Sequence, residues 1–296
     1  MYKYFSHHIW AVVILMLVGC TADEDAPVNQ DDHIIRLSST IQGTRTISDP
    51  QVAQLNTTVK VGVFGRVGSS GIANGNNCSY TVGAGGSLST TTAMNWPDGS
   101  VNIYAYAPWN SEWNFDNDNA FTVASDQSTE EGYLASDLLY GLPTAGNPVA
   151  PTTEVVPLRF YHQLVRLAIT VQVNSSMTDG LENAIVSINN ILPSTTLNLS
   201  DGTVGSAQGD VTNILIGKSV NISAGSSATF YGIIVPQVIA AGTTLLTVSS
   251  GDNVWTLSFT EALTLNGHNS YETTISVNST QFNAQLQTLT ATGPAL

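Results

Sequence analysis

One run of alternating residues near the middle of the chain constrains its fold more than any other feature. From Val165 to Val173, apolar side chains stand at every second position, with polar or small side chains between them. Such alternation is typical of a β-strand with one face in the core. Leu158 and Phe160, just before it, are apolar on the opposite parity. Because a strand cannot exchange its faces without an extra residue, we expect a bulge or kink near His162–Gln163.

Short strand signals lie on both sides of this run and are separated by turns of Gly, Asn, Asp and Pro. No long helical period occurs, and charged residues make up only 10% of the chain. Roughly seven short strands on each side are typical of a β-sandwich rather than of a parallel sheet. We therefore predict an all-β fold with two tandem sandwich domains, at residues 46–175 and 176–278. Residues 83–89, rich in Gly and Ser, and the Glu130–Glu131 pair are predicted to lie in loops.

The sequence lacks the patterns on which common catalytic and metal sites depend. The formal net charge is −14, and without a basic patch we expect no nucleic-acid partner. The acidic segment Phe115–Phe121 lacks the glycine and the downstream glutamate of a calcium-binding loop. We predict no enzymatic activity, no metal and no cofactor. His162 is interpreted as a hydrogen-bonded packing residue, and Cys78 as an inert thiol.

The first twenty residues are predicted to be a lipoprotein signal peptide. Residues 9–18 are continuously apolar, but a run of this length is too short to span a bilayer, which needs about twenty residues. Leu17-Val18-Gly19-Cys20 follows directly and resembles a lipobox, whose cysteine is acylated after removal of the signal. We therefore expect lipidation at Cys20. The alternative is an ordinary signal peptide with an incidental cysteine.

Several aromatic residues cluster between residues 96 and 113. Tyr104 and Tyr106 share one face of a single predicted strand, so core packing is expected for both. Trp109 and Trp113 follow it, among Asn, Asp, Ser and Glu. We predict that these two tryptophans lie on an exposed loop, which makes them a candidate ligand loop.

Five motifs, taken together and in order, resemble the fimbrillin family of bacterial pilus subunits. The motifs are V-G-V-F-G (61–65), W-P-D-G followed by Y-A-Y-A-P (96–108), D-L-L-Y-G (137–141) before L-R-F-Y-H-Q-L (158–164), V-P-Q (235–237) and G-H-N-S-Y (267–271). The resemblance touches almost the whole chain. It implies transthyretin- or Ig-like sandwich domains and a structural role in a cell-surface fimbria that supports adhesion.

The resemblance also implies a route of export and processing. A subunit of this kind is anchored in the outer membrane through its acylated cysteine, with palmitate or a similar chain, before a trypsin-like protease cleaves it after an arginine. Residues 21–45 would form the tether and a removable first strand, whose apolar side chains are Ile35, Leu37 and Ile41. Cleavage is expected between Arg45 and Thr46, since Gly43 and small residues interrupt the strand there. Cleavage after Arg36 remains open.

The C-terminal segment 279–296 is predicted to be a donor strand. Polar and apolar residues mix along it, and the apolar side chains expected to enter the next subunit are Phe282, Ala284, Leu286 and Leu289. The expected partners are other pilin subunits, the processing protease and a host or bacterial surface ligand. The alternative function is a non-polymerising surface lipoprotein that acts as a tip adhesin or glycan-binding protein. The position in a pilus, whether stalk, tip or anchor, stays open.

Overall fold

The computed structural model describes residues 33–42, 54–278 and 290–291, and these residues fold almost entirely into β-strands. The predicted all-β class is confirmed. In the first half the strands are β1 (Leu37–Gln42), β2 (Lys60–Val67), β3 (Ser70–Gly71), β4 (Cys78–Val82), β5 (Ser87–Ser89), β6 (Asn102–Ala107), β7 (Asp118–Thr122), β8 (Leu139–Pro143) and β9 (Val156–His162). A single described α-helix, α1 (Glu130–Ser136), stands between β7 and β8.

The second half contains strands only, among the residues that the structure describes. They are β10 (Val165–Val173), β11 (Leu181–Ile191), β12 (Ser194–Asn198), β13 (Thr212–Ile222), β14 (Ser227–Ile234), β15 (Gln237–Ile239), β16 (Thr244–Ser250), β17 (Asn253–Ser258), β18 (Leu263–Leu265), β19 (Ser270–Val277) and β20 (Thr290–Ala291). No helix in the described ranges has the length and apolar character needed to cross a membrane.

Seven strands of the first half close into a barrel-like sheet. Their order is β2-β4-β5-β1-β9-β8-β6, and β6 pairs back with β2. Closure satisfies the backbone groups that an open sheet would leave at its edges. Val63, Ile103 and Phe160 are fully buried in the core of this sheet. The two predicted tandem sandwiches are therefore not confirmed, because the pairing of β2 with β6 turns the first half into a closed sheet.

Two four-stranded sheets organise the second half. One has the order β14-β10-β19-β20 and the other β13-β11-β16-β17. Apolar side chains from both sheets, including Leu167 of β10 and Ile188 of β11, lie in one buried cluster. The same cluster contains Phe64 and Tyr140 of the closed sheet. The two halves consequently share part of their core, and the pairing of β7 with β12 joins them as well.

The alternating run of residues 158–173 is divided between the two halves. β9 ends at His162 in the closed sheet, and β10 begins at Val165 in the interior of the β14-β10-β19-β20 sheet. The predicted interruption near His162–Gln163 is confirmed. β10 pairs with β14 in antiparallel and with β19 in parallel orientation, so its sheet partners are strands of the second half.

Two predicted loops contain regular structure. Ser87–Ser89 forms β5, which pairs with both β1 and β4 although it carries a single apolar side chain. Glu130 and Glu131 form the first turn of α1, and the Thr129 hydroxyl accepts a hydrogen bond from the Gly132 N–H at 3.2 Å. Such an N-cap, followed by acidic residues in the first turn, favours a helix start. The loop prediction for these two segments was wrong.

Candidate functional site

The first strand fills a slot between β5 and β9 in the closed sheet, which we call the β1 slot. β1 pairs in antiparallel orientation with β5, where Leu37 lies opposite Leu88. It pairs in parallel orientation with β9 along its whole length, from Leu37 opposite Val156 to Gln42 opposite Tyr161. Because the strand bonds to a neighbour on each side, its loss would expose unpaired backbone groups on both.

Side chains of β1 and of the residues just before it also complete the core of the closed sheet. Ile35 and Leu37 are 2% and 3% exposed, and Ile41 is half-buried against the same apolar cluster. Complete burial of such a side chain stabilises the folded state by about 1.5–3 kcal/mol. An empty β1 slot would therefore be both apolar and short of hydrogen bonds.

The β1 slot has one position of close approach, at Ser39. This side chain is 1% exposed, and its hydroxyl donates a hydrogen bond to the Gly86 carbonyl at 3.0 Å. Gly86 has φ +78°, and a Cβ at this position would collide with the Ser39 carbonyl oxygen. Only glycine meets both requirements. Gly86 therefore allows the turn before β5 to pack closely on the first strand.

Backbone bonds hold the residues that lead into β1. The Ile35 N–H donates to the Met94 carbonyl at 2.9 Å, and the Trp96 N–H donates to the His33 carbonyl at 2.7 Å. On the other side, the Val156 N–H donates to the Arg36 carbonyl at 2.8 Å. The Arg36 guanidinium donates to the Thr153 carbonyl at 3.2 Å. Arg36 is therefore engaged through both its backbone and its side chain.

Most of the other predicted site residues lie outside the described residues and stay predictions. They are Cys20, Arg45, Thr46, Phe282, Ala284, Leu286 and Leu289. Of the C-terminal segment, the structure describes β20 alone, which pairs with β19 in antiparallel orientation. Thr290 lies opposite Glu272, and Ala291 lies opposite Tyr271.

The prediction of an exposed loop was wrong for Trp113, which belongs to the core. The residue is 7% exposed, and its ring stacks on Tyr106 with centroids 4.4 Å apart. Its indole N–H donates to the Ala120 carbonyl at 3.2 Å. The polar residues that follow bond to one another, since the Asn119 amide donates to the Asn114 carbonyl at 2.8 Å and accepts from the Asn114 N–H at 2.7 Å. These asparagines satisfy the polar groups of the turn with bonds to each other, and the Trp113 side chain packs into the core.

Trp109, by contrast, borders an open cleft. It is half-buried, and its backbone N–H donates to the Lys60 carbonyl at 2.9 Å. The cleft measures about 570 Å³ and is lined by Thr58, Val59, Lys60, Pro108, Trp109, Glu130, Glu131, Leu134 and Ala135. We call it the Trp109 cleft. Lys60, Glu130 and Glu131 were not predicted to be neighbours of Trp109, although Thr129 before two glutamates is a signal for a helix start at that surface.

The interpretation of His162 as a hydrogen-bonded packing residue is confirmed. It is 6% exposed, and its Nδ1 lies 2.8 Å from a carboxylate oxygen of Asp137. The Nδ1 of His268 lies 2.6 Å from the His162 carbonyl oxygen. Within the described ranges, no group of three or more His, Cys, Asp and Glu side chains is arranged to hold a metal ion. Cys78 is half-buried, with its thiol 3.2 Å from the Thr92 carbonyl oxygen.

Tyr106, under the Trp113 ring, has a perturbed phenol. Burial raises the pKa of Tyr106 to about 12, although hydrogen bonds with Asn110 and Asn77 act in the opposite direction. Burial likewise raises the pKa values of Tyr80 and Tyr140. All three phenols are neutral near pH 7, so they act there as packing and hydrogen-bonding groups.

Comparison with known proteins gives one family match and several structural matches. A family model described as fimbrillin-like matches residues 44–292. No curated protein matches the chain significantly. A solved candidate cell adhesion protein from Bacteroides uniformis has a TM-score of 0.60 at 23% identity, over 83% of this chain and 94% of its own.

Two further solved structures are also candidate cell adhesion proteins. The one from Bacteroides ovatus has a TM-score of 0.62 at 17% identity, covering 82% of this chain and 91% of its own. The one from Bacteroides fragilis has a TM-score of 0.54 at 15% identity, covering 89% of this chain and 98% of its own. At these identities the likeness is one of fold.

Proposed function

The chain belongs to the fimbrillin-like family, and on that premise we propose that it is a structural pilin subunit of a cell-surface fimbria. In this proposal the protein is exported as a lipoprotein, loses its N-terminal region by cleavage after an arginine, and polymerises by exchange of strands between subunits. It then supports adhesion as part of the fibre.

The observation that carries this proposal is the β1 slot. The first strand is an internal member of a closed sheet, bonded to β5 and β9, with Ile35 and Leu37 in the core. A sheet that loses such a strand needs a replacement, because unpaired backbone and apolar surface would otherwise face water. This arrangement supports a subunit that becomes able to polymerise when its first strand is removed.

We propose that the C-terminal segment of the next subunit supplies the replacement strand. In this segment Phe282, Ala284 and Leu286 repeat the every-second-residue spacing of Ile35 and Leu37. Strand addition of this kind gains its affinity from main-chain hydrogen bonds and its specificity from alternate side chains. A head-to-tail contact between such subunits does not close on itself, and it therefore produces a filament.

The membrane step of the proposal depends on Cys20. One acyl chain binds a bilayer only marginally, whereas two give stable attachment. A cysteine with several acyl chains would hold the precursor in the outer membrane until cleavage after Arg45 separates it from its lipid. Replacement of Cys20 by Ala should give unprocessed or mislocalised protein, measured by cell fractionation and surface labelling. Normal surface display of the variant would contradict the lipid anchor.

The polymerisation step is tested by digesting purified precursor with a trypsin-like protease and watching for polymer by size-exclusion chromatography. The N-terminal residue of the product identifies the cleaved bond, Thr46 after cleavage at Arg45 or Leu37 after cleavage at Arg36. We expect Arg45→Ala to prevent polymerisation and Arg36→Ala, its matched control, to leave it intact. Deletion of residues 282–296 should allow cleavage but abolish polymer. Polymerisation unaffected by both Arg45→Ala and the deletion would rule the mechanism out.

A second candidate function is a non-polymerising surface lipoprotein that binds a ligand as a tip adhesin. The open Trp109 cleft favours it, since a half-buried tryptophan beside charged side chains is available to a ligand. In the digestion experiment this function predicts a cleaved or intact monomer that forms no polymer.

A further inference from the structure

We propose that the Trp109 cleft is a binding site for a neutral saccharide, with the indole of Trp109 as the stacking platform. The proposal is independent of polymerisation, because every residue of the cleft belongs to the uncleaved body of the protein. It gives the surface protein a specific class of ligand.

The indole is held in a fixed position. The backbone N–H of Trp109 donates to the Lys60 carbonyl at 2.9 Å, and the indole N–H donates to the Asn77 carbonyl at 3.4 Å. The ring N–H is therefore already used within the protein, and what Trp109 offers to a ligand is its aromatic face. An aromatic side chain that is already ordered before binding loses little conformational entropy when an apolar surface stacks on it. The C–H face of a pyranose ring is such a surface.

Polar groups stand around this platform. Glu130 and Glu131 project from the first turn of α1 and are exposed, and the Asn56 amide donates to the Glu130 carboxylate at 3.0 Å. The Lys60 ammonium lies 5.6 Å from the centre of the Trp109 ring. Carboxylates accept hydrogen bonds from hydroxyl groups and an ammonium donates to them. An indole with an ammonium above its ring and carboxylates in the same cleft suits a ligand rich in hydroxyl groups.

The cleft carries charges of both signs, so neither an anion nor a cation meets a lining of uniformly opposite charge. An anion would meet the carboxylates of Glu130 and Glu131, and a cation would meet Lys60 above the ring. Like charges at close range oppose binding in either case. A polyhydroxylated molecule without net charge avoids both repulsions and still uses each polar group.

The size of the cleft fits more than one sugar unit. Its volume of about 570 Å³ lies within the usual range of small-ligand sites, roughly 300–1,000 Å³. A second cleft of about 440 Å³ adjoins the first and shares Pro108, Trp109 and Ala135 with it. Trp109 thus lines two adjoining cavities, which together offer room for an oligosaccharide.

The experiment uses purified full-length protein on an array of neutral oligosaccharides, with sialylated and sulfated glycans and a lysine-rich peptide on the same array. Hits are then titrated by isothermal titration calorimetry, whose signal does not depend on Trp109. We expect neutral oligosaccharides to bind best. Trp109→Ala should weaken binding about tenfold or more, whereas Trp109→Phe, which keeps an aromatic face, should retain most of it.

A matched pair of charge variants separates the cleft from the rest of the surface. Glu131→Gln removes a carboxylate inside the cleft, and Glu154→Gln removes an exposed one that lines neither cleft. We expect the first to weaken binding several-fold and the second to leave it unchanged, with circular dichroism confirming that all variants are folded. Three results would overturn the proposal: no neutral glycan binds, a charged probe binds best, or Trp109→Ala binds as the parent does. None of these depends on whether the protein forms polymer.

Discussion

Trp113 and Trp109 lie four positions apart in sequence, yet they should differ widely in their contribution to stability. Trp113 stacks on Tyr106 in the core, and its truncation leaves a large cavity there. We expect Trp113→Ala to lower the free energy of unfolding by about 3–5 kcal/mol. Trp109→Ala, at the half-buried edge of its cleft, should cost about 1 kcal/mol. Urea denaturation of both variants measures the difference, and equal small losses would place Trp113 outside the core.

Tyr106 should make the protein sensitive to alkaline pH. Burial raises the pKa of Tyr106 in the folded state to about 12, whereas an unfolded tyrosine has a pKa of about 10. The folded state therefore keeps this proton over a range in which the unfolded state loses it, and stability falls as pH rises from about 10 to about 12. We expect Tyr106→Phe to reduce this slope, measured by urea denaturation across the range. An identical slope in the variant would contradict the shift.

Among the secondary-structure elements, the turn before β5 offers a matched pair of glycines. Gly85 and Gly86 both have positive φ, but a Cβ on Gly86 would strike the Ser39 carbonyl oxygen, whereas a Cβ on Gly85 would have no atom within 4 Å. Gly85→Ala should therefore cost only the backbone strain, about 1–2 kcal/mol. Gly86→Ala should cost more, and it alone should speed amide hydrogen exchange in β1. Equal protection of β1 in both variants would show that Gly86 does not position the strand.

The edge of β14 that faces away from β10 is bonded by the side chain of Gln127. Gln127 is 1% exposed, and its amide accepts from the Ile233 N–H at 2.7 Å and donates to the Ile233 carbonyl at 2.8 Å. The Gln127 side-chain amide thus makes the pair of hydrogen bonds that the backbone of a neighbouring strand would make with Ile233. Gln127→Ala should lower the free energy of unfolding by about 2–4 kcal/mol, because it leaves buried groups unpaired. Gln172→Ala, which removes a half-buried glutamine, is the control and should cost less than about 0.5 kcal/mol.

Individual strands could be predicted from the sequence, but their partners could not. Alternation located β10 and the interruption before it, because alternation records which face of a strand is buried. It does not record which strand lies alongside, so the pairing of β2 with β6 and the resulting closure were missed. Ser87–Ser89 has one apolar residue and becomes a strand through its neighbours β1 and β4. The Trp109 cleft likewise joins Lys60, Trp109 and Glu131, which only the tertiary fold brings together.

For the molecule as a whole, the shared core predicts cooperative unfolding. Tyr140 of the closed sheet donates a hydrogen bond to the Leu199 carbonyl at 3.1 Å, and its ring lies in the same cluster as Ile188 of the second half. We expect calorimetry to show a single transition whose calorimetric and van't Hoff enthalpies agree. Ile188→Val should shift that transition as a unit, at a cost of about 1 kcal/mol. Two resolved transitions would mean that the halves unfold separately.

The β1 slot has a further consequence, which concerns the direction of any strand that occupies it. β1 is antiparallel to β5 and parallel to β9, so the two walls of the slot run in opposite directions. An incoming strand of either polarity would therefore meet one parallel and one antiparallel neighbour. Main-chain hydrogen bonds can therefore form in both orientations. Side chains then distinguish the two orientations of the incoming strand. They must fit the buried positions that Ile35 and Leu37 occupy and the close contact between Ser39 and Gly86.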